Sequence, residues 1–380
     1  MKKFCIISND LYTVRNLRAD LLLALAEQGN EIHILAPNVA ECPNEQGYFQ
    51  GLGFHVHGYF LKKTGTNPVH DSKAIFSLYQ QLKQIQPNKI LSYTIKPAMY
   101  GTLAAYMAGI GERYVLLSGL GFAFQETHTG YFKYIKKIFD TIFSFAISKA
   151  TRVIFQNPDD LKLIAQLGYL KGVATGVVSG SGVNMQHFQR CPLVQDQNKN
   201  NRPIFVMIAR LLRDKGIYEY IDAIRQVKKN HPEAEFHLVG WIDQNPEAIP
   251  QALLDDWINE GLVKYWGKLD DVRPALAQSN IMVLPSYREG TPRSVLEAMA
   301  MGRVVITTNA PGCKETIVDG VNGYQVYVAS ADELANAMFK LIAQPQDMTR
   351  MGQASFDIVK ARYDVHLVNQ QMITFMQGTF

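Results

Sequence analysis

Short, continuous apolar runs alternate with amphipathic stretches through the first half of the chain. Runs of strand length lie at Phe4–Ser8, Glu31–Ala36, His55–Tyr59, Lys89–Ser92, Tyr114–Leu117 and Arg152–Gln156, and Asn16–Glu27 and Lys73–Gln84 between them repeat apolar residues at helical spacing. Strands that are apolar throughout, separated by helices, indicate parallel βαβ units with the sheet covered on both faces. After the polar stretch Gln195–Arg202, which reads as a linker, the pattern restarts at Pro203–Ile208, Glu235–Val239, Val263–Trp266, Ile281–Leu284 and Val304–Thr307. Two successive βα series predict an α/β protein built from two Rossmann-like doubly wound domains, residues 1–185 and 200–362. Ligands of open α/β sheets bind at the carboxyl ends of the strands, so a cleft between the two domains is the expected site.

The composition agrees with this division. A chain of 380 residues is long for one core, and 47% hydrophobic with 19% charged residues describes a folded globular protein. Cys5, Cys42, Cys191 and Cys313 are far apart with no C-x-x-C pair, which suggests neither a disulfide framework nor a zinc site and fits a reducing cytoplasm. The apolar run after Met1-Lys-Lys ends at Asn9-Asp10, too short for a signal peptide, and no uncharged run reaches bilayer-spanning length. Residues 1–183 carry 18 Lys+Arg against 12 Asp+Glu, whereas the remainder carries 20 against 22. The basic excess therefore belongs to the N-terminal half and hints at an anionic surface or acceptor there.

Several chemistries are excluded. Ser8–Arg15 contains no glycine, so the dinucleotide fingerprint of a dehydrogenase is missing, and there is no P-loop or Gly-x-Ser-x-Gly. There is also no D-x-D and no His/Cys/Asp cluster with metal-ligand spacing, so neither a metal nor another cofactor is expected, and no nucleic-acid partner.

The most informative segment follows the strand Ile281–Leu284: Pro285-Ser-Tyr-Arg-Glu289-Gly290-Thr291-Pro292-Arg293-Ser294-Val295-Leu296-Glu297. Gly290 permits a tight turn, Pro292 suits the first turn of a helix, and Ser294–Met301 continues as that helix. Backbone N–H groups would then stand beside Glu289, able to receive hydroxyl or phosphate oxygens. Glu297 follows eight residues later, about two helical turns on. The bland alternative is a strand–loop–helix junction with capping glutamates. Upstream, Ile208-Ala-Arg210-Leu-Leu-Arg-Asp-Lys215-Gly216 follows the first strand of the second domain; alone it reads as a solvated loop.

Together, the Glu289…Glu297 spacing, the trailing Glu-Ala-Met-Ala-Met-Gly302 and the Arg210…Lys215-Gly216 loop resemble family 4 glycosyltransferases. The resemblance implies the GT-B arrangement, transfer with retention of anomeric configuration, and a nucleotide-sugar donor, UDP-linked. On this likeness Arg210 and Lys215 hold the donor diphosphate, which gains negative charge as it leaves. Glu289 contacts the sugar hydroxyls and Glu297 the ribose; Gly290, Thr291, Pro292, Ser294 and Val295 line the same turn. Gly240 and the stretch containing Leu269 and Val272 are similar to the nucleobase-facing loops, and equally to ordinary strand-end turns. The acceptor side falls to Asn9, Thr13 and Arg15, to Thr94 and Lys96 in a loop that lacks the family's histidine, and to Gly119 and Gly121.

The stretch 128–147 places Tyr131, Ile135, Ile138, Ile142 and Phe145 at helical spacing with lysines beside them, a basic aromatic helix that could lie on the inner face of the cytoplasmic membrane or serve as scaffold. The likeness is to transferases adding an N-acetylhexosamine to an undecaprenyl-diphosphate-linked sugar, in bacterial surface polysaccharide or glycoprotein glycan assembly. It also implies that the C-terminal residues 363–380 cross back onto the first domain. A nucleotide-sugar epimerase of similar architecture is the enzymatic alternative, and a non-catalytic sugar-nucleotide-binding protein the third.

Overall fold

A computed structural model describes residues 1–62, 67–120, 131–243 and 245–378, with the backbone alone over 131–136. It divides into two compact units, Met1–Ser181 with Val368–Phe380, and Gly182–Leu367.

The first unit runs β1 (Lys2–Ile7), α1 (Leu11–Glu27), β2 (Asn30–Ala36), α2 (Pro43–Gly51), β3 (His55–Gly58), α3 (Pro68–Ile85), β4 (Lys89–Tyr93), α4 (Ile95–Met107), β5 (Glu112–Leu117), α5 (Tyr131–Ser148), β6 (Arg152–Phe155), α6 (Pro158–Gln166) and β7 (Ala174–Val177). Helix starts follow local chemistry. Asp10 caps α1 by accepting from the Tyr12 and Thr13 amides, and Asn67 caps α3 ahead of Pro68 at the first helical position. The strands form one parallel sheet in the order β3-β2-β1-β4-β5-β6-β7, with β1 buried from Phe4 to Ile7.

The second unit runs β8 (Ile204–Ile208), α7 (Ile217–Asn230), β9 (Glu235–Val239), α8 (Gln251–Asn259), β10 (Lys264–Tyr265), α9 (Arg273–Ala277), β11 (Ile281–Leu284), α10 (Arg293–Ala300), β12 (Val304–Thr308), β13 (Gly323–Val326), α11 (Ala331–Ala343), α12 (Asp347–Arg362) and then α13 (Val365–Gln377). Its sheet is also parallel, ordered β10-β9-β8-β11-β12-β13. Strand order reverses between β1 and β4 in one sheet and between β8 and β11 in the other. At such switch points neighbouring loops diverge and leave a crevice at the carboxyl ends.

The end of α13 belongs to the first unit, where Met372, Phe375 and Met376 are buried with Phe4 and Leu21, and the Tyr114 hydroxyl donates to the Met376 carbonyl at 2.8 Å.

The polar stretch Gln195–Arg202 differs from the free linker expected. Asn280 accepts from the Val194 amide and donates to the Val194 and Arg202 carbonyls, and Asn201 donates to the Pro345 carbonyl at 2.9 Å. Just upstream, the buried Arg303 guanidinium holds the Cys191 and Pro192 carbonyls. Polar side chains satisfied by the second unit carry this segment along its surface.

Candidate active site

The carboxyl ends of β10, β9, β8 and β11 present their loops side by side. Gly216 sets the spacing between two of them. It has φ +74°, and a Cβ there would lie 2.2 Å from the Pro285 carbonyl oxygen, so only glycine lets the β8 loop close against the β11 loop. The Tyr287 amide then donates to the Asp214 carbonyl at 2.8 Å.

This closure brings Lys215 to Glu289 across 74 residues of sequence, with Nζ 2.6 Å from Oε1 and side-chain exposures of 12% and 19%. Ser286 Oγ lies 3.0 Å from the same carboxylate oxygen. Burial alone would pull the Lys215 pKa down, but the Glu289 and Asp214 carboxylates outweigh it and hold the pKa above the ordinary value. The ammonium is therefore charged at neutral pH. Arg210 is close enough for its charge to act on Lys215, is 44% exposed, and is steadied by Asp243 at 3.0 Å. A buried, oriented cation, an exposed guanidinium and a carboxylate thus converge at the switch point. This arrangement can receive an anionic group and grip hydroxyls beside it.

The flanking candidates divide. Gly290 is buried, and the Thr291 hydroxyl donates to its carbonyl at 3.0 Å. Pro292 occupies the N-cap of α10, one position before the expected first turn, and Ser294 is half-buried in that turn. Val295 differs from expectation: its side chain is in the core and its amide donates to the Pro292 carbonyl at 3.1 Å, closing the helix. Glu297 pairs with Arg293, Nε to Oε1 2.7 Å; burial raises its pKa, with Arg293 pulling the other way.

Gly240 lies at the end of β9, where a Cβ would fall 1.9 Å from the Ala209 carbonyl oxygen. Its amide donates to the Gly267 carbonyl at 2.9 Å and its carbonyl accepts from the Tyr265 hydroxyl at 2.9 Å, tying the β9 and β10 loops together. Leu269 packs half-buried against the core, and Val272 begins α9. Ser286, Asp243, Asp214 and Arg293 escaped the sequence reading, because their roles exist only through partners brought in by the fold.

In the first unit, Asn9, Thr13, Thr94 and Lys96 lie on the loops after β1 and β4 or the helix turns they open. Thr13 Oγ1 is 2.8 Å from the hydroxyl of the buried Tyr93. Thr94 has φ +68°, an outlier for a β-branched residue and a local strain that marks this loop. Lys96 donates to the Lys62 carbonyl at 2.9 Å and lies 3.8 Å from Asp71; burial lowers its pKa, against the pull of Asp71. Arg15 turns instead to α2, 3.7 Å from Glu45 and stacked over Tyr48. Gly119 has φ +107°, whereas Gly121 and the start of the stretch 128–147 lie outside the described residues. Away from these loops, Glu31, His33 and His55 bring three potential ligand atoms within 4.8 Å of one another, a juxtaposition across two strands that spacing along the sequence does not display.

Comparison with known proteins agrees with the geometry. Residues 4–157 match the glycosyl transferase 4-like family and residues 202–344 the glycosyl transferases group 1 family. The chain is 27% identical over 375 residues to the N,N'-diacetylbacillosaminyl-diphospho-undecaprenol alpha-1,3-N-acetylgalactosaminyltransferase of Campylobacter jejuni, covering 95% of this chain and 94% of that one. It is 25% identical to an Escherichia coli UDP-Gal:alpha-D-GlcNAc-diphosphoundecaprenol alpha-1,3-galactosyltransferase over 72% of this chain and 71% of the relative. Among solved structures, Anabaena HepE in complex with UDP superposes with a TM-score of 0.76 at 18% identity, covering all of both chains. Sucrose-phosphate synthase from Thermosynechococcus elongatus reaches 0.80 at 18% identity, covering 100% of this chain and 99% of that one. The epimerase alternative finds no support in these likenesses. With a 4-like family match in its first half, a group 1 match in its second and the GT-B fold throughout, the chain belongs to the glycosyltransferases of the group 1 and 4-like families.

Proposed function

We propose that this glycosyltransferase moves a hexose or N-acetylhexosamine from a UDP-sugar to an undecaprenyl-diphosphate-linked sugar, with retention and without a metal ion at the donor diphosphate. The observation that carries the reading is the buried Lys215–Glu289 pair at 2.6 Å beside Arg210, at the switch point of the second sheet. Two relatives named for transfer onto diphospho-undecaprenol sugars support the acceptor, and the UDP complex of HepE supports the donor.

In this reading Lys215 and Arg210 stabilise charge on the departing diphosphate, and Glu289 accepts hydrogen bonds from sugar hydroxyls. The acceptor hydroxyl attacks the anomeric carbon on the face from which UDP leaves. The new C–O bond forms as the bond to phosphate breaks, and the hydroxyl proton passes to a diphosphate oxygen. The two cations take the place a bridging metal would fill.

Among the described residues no helix is long and apolar enough to cross a membrane. Contact with a membrane-held acceptor falls instead to α5, where Ile138, Ile142 and Phe145 stand 61%, 38% and 53% exposed on one face. Lys149 spans the rings of Phe145 and Tyr106 at 4.9 and 5.0 Å, extending that face onto α4 with a cation suited to anionic headgroups. Such a surface supports peripheral association with the inner face of the cytoplasmic membrane.

The test is incubation of purified protein with a panel of UDP-sugars and a short-chain lipid-diphosphate sugar, with and without EDTA. Labelled sugar should appear in the lipid product, in the anomeric configuration of the donor, at a rate EDTA does not change. Release or epimerisation of the sugar without acceptor transfer would overturn the proposal.

A further inference from the structure

The face of the β2–β3 edge carries a cluster that the transfer chemistry does not use. Glu31 and His33 are two residues apart on β2, and His55 and His57 two apart on β3, so each pair points to one face of its strand. Parallel pairing sets His33 directly opposite His55. Glu31 Oε1 is then 3.0 Å from His33 Nε2 and 3.5 Å from His55 Nε2. We propose that Glu31, His33 and His55 bind one transition-metal ion of the Zn2+ class, which clamps the edge strand β3 to β2.

The spacing suits that ion. Tetrahedral zinc with bonds of about 2.0–2.1 Å requires ligand atoms roughly 3.3 Å apart; the two carboxylate–imidazole separations bracket this value, and all three ligand atoms lie within 4.8 Å of one another, so the stacked His33 and His55 rings close on the ion as it binds. Two imidazoles with one carboxylate favour zinc, nickel or copper over magnesium or calcium, which prefer all-oxygen shells. The third-ring partner completes the site: His33 Nδ1 lies 3.0 Å from His57 Nε2. A proton held on Nδ1 and donated to His57 leaves the Nε2 lone pair directed toward the metal, the usual support for a ligating histidine.

His33 is only 6% exposed, so one ligand is fixed, while His55 at 53% gives the ion a path from solvent and room for a water as fourth ligand. Lys3 adds a nearby positive charge, but its ammonium is engaged with the Ile85 carbonyl at 3.2 Å.

The experiment uses the full chain without a histidine tag. Titration with ZnCl2 by calorimetry, with metal content by mass spectrometry, should give one equivalent and a rise in Tm, and Co2+ should give the visible bands of a tetrahedral complex. His55→Gln, at an exposed position, should abolish saturable binding while leaving the metal-free Tm unchanged; Glu31→Gln should act likewise. His57→Gln should weaken affinity by about 10- to 100-fold. Retention of one equivalent in His55→Gln, or no saturable binding by the wild type, would overturn the site. Any effect of EDTA on transfer that His55→Gln also removes belongs to this clamp, which keeps the outcome separate from metal-independence at the donor site.

Discussion

Replacing Lys215 by Met tests the donor centre most finely, because two consequences of the same contact can be separated. At 2.6 Å the gross attraction between Lys215 and Glu289 is about 6 kcal/mol at an effective dielectric near 20, offset by the desolvation of both groups. Lys215→Met strips the Glu289 carboxylate, 19% exposed, of its ammonium partner, while Ser286 Oγ still donates to it. The expected loss of stability is roughly 3 kcal/mol, the lower end for breaking a buried pair. For a unit of this size that is a fall in Tm of about 10 °C. Transfer should also fall by about 10²- to 10³-fold in kcat, the loss typical of one preorganised donor to developing negative charge. Adding Glu289→Gln removes the carboxylate charge that Lys215 balanced, so the double variant should regain most of the Tm by differential scanning calorimetry while its kcat stays at or below that of the single variant. Recovery of activity together with stability would refute the reasoning, since the pair would then be a structural strut and nothing more.

Other outcomes follow from particular contacts. Gly216→Ala places a methyl group against the Pro285 carbonyl at φ +74° and should both lower Tm and impair transfer, measured by calorimetry and by donor titration. Burial, assisted by Lys264 and opposed by Glu235, pushes the His237 pKa down to about 4. Below the unfolded value of 6.5 the unfolded chain takes up a proton that the folded chain refuses. This site should therefore cost about 3 kcal/mol of stability as pH falls from 6.5 to 4, seen as a difference between wild type and His237→Phe in urea unfolding. Ile138→Asp with Phe145→Asp should abolish cosedimentation with vesicles of anionic lipid while leaving donor binding intact.

How far the sequence could be read depended on whether a residue's role is local. Fully buried strands such as Ile281–Leu284 announce themselves as apolar runs, whereas β7 and β13, whose residues are partly exposed, carry no such run and passed unseen. Gln195–Arg202 looked free because it is polar; its partners, Asn280 and the Pro345 carbonyl, are legible only once the unit has folded. The loops holding Lys215 and Glu289 were visible as motifs, but nothing local joins residues 74 positions apart, and only the close approach allowed by Gly216 makes them a pair. The histidine cluster shows the same limit. Glu31-x-His33 and His55-x-His57 have the period of a strand, yet their ligand spacing arises across two strands whose register the sequence does not state.

The most direct test of the donor assignment is single-turnover transfer from a labelled UDP-sugar at saturating donor, comparing wild type with Arg210→Ala and Glu289→Ala. Each substitution should lower the rate at least 100-fold, in the range set by loss of one preorganised electrostatic contact. Rates within twofold of wild type in both variants would place the transfer chemistry elsewhere in the chain.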